Sequence, residues 1–100
     1  MESYILYMVD VQIKASKPIE QLKKGDKVKV DGKLFEVDEQ YVLIDHKTTK
    51  EMAIDIFDAK TDKDFQIRYF TERLDISDPE LYELQGEIMY VKREYKKLEW

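Results

Sequence analysis

Alternating apolar and polar positions along the first seventy residues predict a series of β-strands. Apolar side chains take every second position from Ile5 to Ile13, which predicts a long strand with one continuous apolar face. Pro18 ends regular pairing, and the segment 18–25 has room for at most one helical turn closed by Gly25. We therefore expect the hairpins of the domain to begin only after this turn.

Two hairpins are predicted next. Val28 and Val30 alternate before Asp31-Gly32, a dipeptide that tolerates the positive φ angles of a tight hairpin turn. The following pattern predicts a second hairpin with a polar tip and then one further strand. Its parts are a return strand from Leu34, an apolar run over 41–44, the polar tip 45–51, an apolar run over 52–57, a turn region over 58–64 and a strand over 65–69.

The carboxyl-terminal segment fits two periodicities. Pro79 suits the first position of a helix, and apolar residues then recur at steps of three and four, as in an amphipathic helix over 79–98. Reading by twos gives strands instead, although Lys92-Arg93-Glu94 is poor turn chemistry. The helical stripe consists of Leu81, Leu84, Ile88, Val91, Tyr95 and Leu98, and the strand face of Tyr82, Leu84, Ile88, Tyr90, Leu98 and Trp100.

The preferred interpretation is a single β-rich α+β domain over residues 1–100. About five antiparallel strands would form a twisted sheet or a partly open SH3-like barrel, with the helix from Pro79 packed across it. The alternative is an all-β fold with carboxyl-terminal strands. One hundred residues are enough for one hydrophobic core and no more.

Composition limits the cellular compartment and the chemistry that we expect for the protein. No cysteine is present, which excludes disulfides and thiolate chemistry, and no apolar run is long enough to cross a membrane. We therefore expect a cytoplasmic protein without a membrane partner. Absence of asparagine and cysteine, together with abundant lysine and glutamate, is typical of proteins from hot environments.

Charge is segregated along the chain although the net charge is −5. Residues 14–33 contain seven lysines and three acids, a net charge of +4, whereas residues 51–87 contain eleven acids and four bases, a net charge of −7. A polyanionic partner would therefore meet only part of the surface.

The stretch from Leu22 to Val37, with its leucine, glycine, turn, glycine and valine pattern, resembles the first domain of bacterial elongation factor P and of initiation factor five-A. The segment 53–57 resembles the strand after that family's long hairpin, and the resemblance covers residues 22–71. It implies an SH3-like barrel and contact with the ribosome. By position, the family's modified hairpin lysine would correspond to Lys47, with Lys50 as a substitute.

Two basic stretches and the hairpin tip are candidate nucleic-acid contacts. Lysines cluster around the first hairpin, and aromatic residues alternate with basic residues near the carboxyl end, as on surfaces where rings stack on bases and cations neutralise phosphates. The predicted partner is RNA or the ribosome. The candidate residues are Lys23, Lys24, Lys27, Lys29, Lys47, Lys50, Lys92, Arg93, Lys96 and Lys97.

Other chemistries have weaker signals. Asp58, Asp62 and Asp64 could supply oxygen ligands to calcium, but this loop lacks the glycine and the terminal glutamate of the known calcium loop. His46 is the only histidine, no serine lies in a glycine-flanked elbow, and no glycine-rich phosphate loop is present, so we expect neither an enzyme nor a cofactor. The second function class is a protein-interaction or self-assembly domain that forms a homodimer or binds another protein.

Overall fold

The structure is a computed structural model that describes residues 11–71 and 78–100. Within these ranges, eight strands form one mixed sheet in the order β1-β8-β2-β3-β4-β5-β6-β7. All neighbouring pairs are antiparallel except β1 and β8, which are parallel. The strands are β1 (Gln12–Lys14), β2 (Lys27–Val30), β3 (Lys33–Asp45), β4 (Lys50–Asp58), β5 (Lys63–Phe70), β6 (Glu80–Gln85), β7 (Met89–Arg93) and β8 (Lys97–Glu99).

Both predicted hairpins are confirmed. Strands β2 and β3 are joined by Asp31 and Gly32, whose φ angles of 50° and 83° are those that the Asp-Gly dipeptide permits. Strands β3 and β4 form the second hairpin, and their register shifts between Val37 and Glu39 and again between Val42 and Ile44. These bulges increase the local twist and bend of the longest strand pair.

The order of the strands requires the sheet to curl. Strands β7 and β8 are separated by three residues in sequence, but six strand-to-strand steps separate them in the sheet. In a flat sheet this separation would be about 29 Å, whereas the connection from Arg93 to Lys97 can span only about 14 Å. The two ends of the sheet must therefore approach each other around a common interior.

That interior is the hydrophobic core. Leu81 of β6 and Leu98 of β8 belong to the same buried cluster as the inward side chains of β2 to β5, and Trp100 packs against its margin. The alternation is clearest in β2, where Val28 and Val30 are buried and Lys27 and Lys29 are exposed, because successive residues of a strand point to opposite faces. The buried members are Ile19, Leu22, Val28, Val30, Phe35, Val37, Ile54, Ile56, Ile67, Tyr69, Leu81 and Leu98.

The predicted carboxyl-terminal helix is wrong, and so are the α+β class and the count of about five strands. Residues from Glu80 onward form β6, β7 and β8, and no α-helix occurs in the part of the chain that the structure describes. Pairing of β6 with β5 places Leu81 opposite Ile67 in the core, whereas Ile88 of the helical stripe lies exposed in the β6–β7 turn. The alternative with carboxyl-terminal strands is the one that agrees with the structure.

The turn before β2 is attached to the sheet by one side chain. Ile19–Gln21 forms a single 3-10 turn, which agrees with the predicted limit of one helical turn, but the turn is followed by extended Leu22 and is not closed by Gly25. The Nε2 group of Gln40 donates hydrogen bonds to the carbonyls of Ile19 and Leu22 at 3.2 and 2.8 Å, and the hydroxyl of Tyr69 donates to Gln40 Oε1. Burial of Ile19 and Leu22 in the core completes the attachment.

The predicted long strand over 5–13 lies mostly on residues 1–10, which are outside the described residues; its described end lies in β1. Over 11–71 and 78–100, no helix has the length and apolar character needed to cross a membrane.

Candidate nucleic-acid interface

A row of side chains crosses four strands on the outer face of the sheet. Glu99 of β8 is in register with Lys14 of β1 on one side and with Lys29 of β2 on the other. Lys29 is in turn opposite Leu34 of β3. Lys27 lies two residues before Lys29 and therefore points to the same face.

These residues line a groove with a volume of about 470 Å³. Its apolar residues include Leu34, which is 51% exposed, and Trp100, which is partly buried against the core. Trp100 is fixed in place because its Nε1 donates a hydrogen bond of 2.7 Å to the carbonyl of Lys17. The complete lining is Lys14, Ala15, Ser16, Lys27, Lys29, Leu34, Glu99 and Trp100, and we refer to these residues as the lysine groove.

The lysine groove has a positive local charge on an acidic protein. Three lysines and one glutamate line it, which gives +2 against −5 for the whole chain. Lys27 Nζ forms an ion pair with Glu36 Oε1 at 2.5 Å, and Lys97 Nζ forms one with Glu99 Oε1 at 3.6 Å. Within the described residues, no ion pair with a carboxylate engages Lys14 or Lys29. These two ammonium groups are therefore available to an anionic ligand.

The other basic residues predicted to contact nucleic acid are dispersed. Lys92 and Arg93 form ion pairs with Glu80 and Glu83 at 3.0 and 2.9 Å on the β6–β7 hairpin. Lys96 lies in the β7–β8 connection, where its backbone N–H donates to Asp31. Lys23 and Lys24 precede β2 and border a separate depression near Asp38, Glu39 and Gln40. Of the ten predicted residues, only Lys27 and Lys29 line the lysine groove.

Lys47 and Lys50 lie at the end of the β3–β4 hairpin. Lys47 has a φ of 74°, and its N–H donates to Asp45 Oδ1 at 2.8 Å. The neighbouring His46 ring packs against Phe70, with 5.8 Å between the ring centroids. Both lysine side chains are exposed, so this tip is a second basic surface, separate from the lysine groove.

The acidic loop is organised by protein contacts. The Asp58 carboxylate accepts hydrogen bonds from the Lys60 N–H and the Thr61 hydroxyl, both at 2.9 Å, and pairs with Lys33 at 3.0 Å. These contacts lower the pKa of Asp58 from its ordinary value of 3.8 to about 2. Among residues 11–71 and 78–100, no three His, Asp or Glu side chains are arranged to hold a metal ion. Calcium binding by Asp58, Asp62 and Asp64 stays a prediction.

A polar and aromatic network on the outer face of β3 to β7 was not predicted. The guanidinium carbon of Arg68 lies 4.1 Å from the ring centroid of Tyr82 and 5.2 Å from that of Tyr90. Gln66 is 1% exposed, and its Nε2 donates to Tyr41 Oη and Asp55 Oδ1 at 2.9 and 2.8 Å. Burial, reinforced by the Asp55 charge, raises the pKa of Tyr41 to about 12, so this phenol stays protonated.

Sequence reasoning missed Lys14, Leu34, Glu99 and Trp100 as members of one site. Lys14 was counted in the basic stretch and Trp100 in the carboxyl-terminal aromatic stretch, but the two are far apart in sequence. Only the parallel pairing of β1 with β8 brings them together. A signal was present in the alternation of lysine with valine from Lys27 to Val30, which predicts a basic outer face of a strand.

Comparisons with known proteins give no relatives: no protein-family model matches the chain, and neither the curated proteins nor the solved structures contain a match. The resemblance of residues 22–71 to elongation factor P and initiation factor five-A therefore stays a prediction.

Proposed function

We propose that the protein is a non-catalytic module that binds single-stranded RNA in the lysine groove. The observation that supports this proposal is the row Lys14, Glu99, Lys29 and Leu34, which lines the groove together with Trp100. Single-stranded nucleic acids bind where cations follow the phosphates and apolar or aromatic surface contacts the bases. Lys14 and Lys29 supply the cations, and Leu34 and Trp100 supply the apolar surface.

The position of Trp100 provides a direct assay. It is the only tryptophan in the chain and it lines the groove, so its fluorescence is a probe for occupancy of this site. A single-stranded oligoribonucleotide should change the emission in a saturable manner. Because two lysines of the groove, Lys14 and Lys29, are free of carboxylate partners among the described residues, the logarithm of the association constant should fall with the logarithm of the salt concentration with a slope of about −1.4.

Matched lysine variants distinguish the groove from the rest of the surface. The double variant Lys14→Ala and Lys29→Ala should lose most of the affinity, whereas Lys63→Ala, at the exposed start of β5, should bind as the wild type does. The pair Lys47→Ala and Lys50→Ala tests the hairpin tip separately. A fluorescence change that is insensitive to salt, or equal affinity of the groove variant and the wild type, would refute the proposal.

A further inference from the structure

The most exposed large apolar side chains of the described residues lie at one turn. Gly86, with a φ of 67°, begins the turn between β6 and β7. Ile88 in this turn is 89% exposed, and Met89 at the start of β7 is 61% exposed. With the adjacent Glu87 they form a short apolar and acidic surface that we refer to as the apolar tip, defined as residues 86–89.

The hairpin that carries the apolar tip is stabilised by ion pairs between its two strands. Two ion pairs, Lys92 with Glu80 and Arg93 with Glu83, cross from β7 to β6. They also neutralise both basic residues of the hairpin and leave the charge of Glu87 uncompensated, since no ion pair of the described residues includes it. The tip therefore presents two apolar side chains beside one negative charge.

The lysine groove is complementary to the apolar tip in charge and also contains apolar residues. It is lined by the apolar residues Leu34 and Trp100 and by three lysines, and its charge is positive, +2 for the lining residues and +1 when Glu36, the ion-pair partner of Lys27, is included. Apolar burial supplies the attraction in such a contact, and opposite charges at the rim orient the partners.

We propose that the apolar tip of one molecule inserts into the lysine groove of a second copy. Tip and groove are different surfaces of the same chain, so the contact is heterologous, and repeated contacts produce rings or open chains of molecules. The association is weak and concentration-dependent because two side chains bury little area. It does not depend on the proposed RNA binding, although the two occupants would compete for one groove.

Complementation between two variants tests this arrangement by analytical ultracentrifugation. Ile88→Asp places a charge on the apolar tip, and Leu34→Asp places one in the lysine groove. Ile44→Asp is the matched control, because Ile44 is also exposed, at 47%, but lies on the β3–β4 hairpin. We expect the average mass of the wild type and of Ile44→Asp to rise with concentration. Each of the other two variants should stay monomeric alone, and their equimolar mixture should form dimers and nothing larger.

Several results would overturn the inference. The wild type could remain monomeric at the highest attainable concentration, or Ile44→Asp could fail to associate. The third such result is that Ile88→Asp and Leu34→Asp do not associate when mixed. A second variant, Glu87→Lys, should weaken the association without removing apolar surface, and added salt should weaken it likewise. RNA binding measured on Ile88→Asp is independent of these results, because this variant leaves the groove intact.

Discussion

The Asp31 carboxylate accepts a hydrogen bond of 2.8 Å from the backbone N–H of Lys97, and the Asp31 N–H donates one of 2.9 Å to the Lys97 carbonyl. Asp31 Oδ1 also accepts from the N–H of Lys96 at 2.9 Å. One residue thus forms the β2–β3 turn and holds the beginning of β8. The β8 strand in turn carries Glu99 into the lysine groove, so the turn positions the candidate site.

Replacing Asp31 should therefore destabilise the fold. Asp31→Ala removes the acceptor of two backbone N–H groups and places alanine at a φ of 50°, and we expect a loss of about 1–3 kcal/mol in the free energy of unfolding. Asp31→Asn is the control, because it keeps an acceptor oxygen and tolerates positive φ. Urea denaturation measures both. Equal losses in the two variants would contradict the role assigned to the carboxylate oxygen.

Gln40 is expected to be the most important polar side chain for the 3-10 turn. Gln40→Leu leaves the carbonyls of Ile19 and Leu22 without their side-chain donor and should cost about 1–3 kcal/mol. Tyr69→Phe removes only the hydroxyl that donates to Gln40, so its effect should be smaller. Hydrogen exchange should show faster exchange of the Leu22 amide in Gln40→Leu. Exchange unchanged from the wild type would show that the Gln40 side chain does not stabilise the turn.

Stability in acid should depend on Asp58. Hydrogen bonds from Lys60 and Thr61 and the Lys33 ammonium hold its pKa at about 2, below the ordinary value of 3.8. The folded protein therefore favours the ionised form, and the resulting stability is complete above the ordinary pKa and is lost as the pH falls towards the folded pKa. Asp58→Asn lacks this contribution at any pH.

We therefore expect the wild type to be more stable than Asp58→Asn at about pH 6, with the difference in urea midpoint shrinking towards about pH 2. The comparison with the variant is needed because other carboxylates, including Asp26 beside Lys17, also have lowered pKa values. A difference that stays constant across this pH range would show that Asp58 is not ionised selectively in the folded state.

The first two hairpins were predictable because their signals are local. Asp31-Gly32 fixes one turn, and the polar run after Ile44 fixes the other. The carboxyl-terminal strands were not predictable in this way, since the spacing of Leu81, Leu84 and Ile88 fits a helix as well as a strand pair. Pairing of β6 with β5 decides the outcome, and strand preference depends on such non-local contacts more than on the residues themselves. Gly86 was the local signal against the helix.

The residues of the lysine groove could likewise be predicted only where they are close in sequence. Lysine alternation in β2 predicts that Lys27 and Lys29 share a face, but nothing local predicts that Lys14 lies in the same row through Glu99. The run Lys92-Arg93 illustrates the opposite error. Its charge suggests a contact with phosphate, yet both residues form ion pairs with diagonally placed glutamates of β6.

The position of Arg68 between two tyrosines gives the last prediction. Its Nε donates to Oε1 of the buried Gln66 at 2.5 Å, and its guanidinium lies against the Tyr82 and Tyr90 rings. A lysine ammonium keeps the charge but has neither the planar group nor the fixed geometry of its donors. Arg68→Lys should therefore cost about 1–2 kcal/mol, and Arg68→Met, which leaves Gln66 Oε1 without a partner, at least as much.

Arg93→Lys provides the control, because Arg93 forms an exposed ion pair and lysine can replace it at a cost of less than about 1 kcal/mol. Thermal denaturation of the three variants, followed by the circular dichroism of the tyrosines, measures the differences. If Arg68→Lys is as stable as the wild type, positive charge alone is sufficient and the stacking contributes nothing. If Arg68→Lys is destabilised as much as Arg68→Met, the planar guanidinium adds side-chain stability to strands that are already joined by backbone pairing.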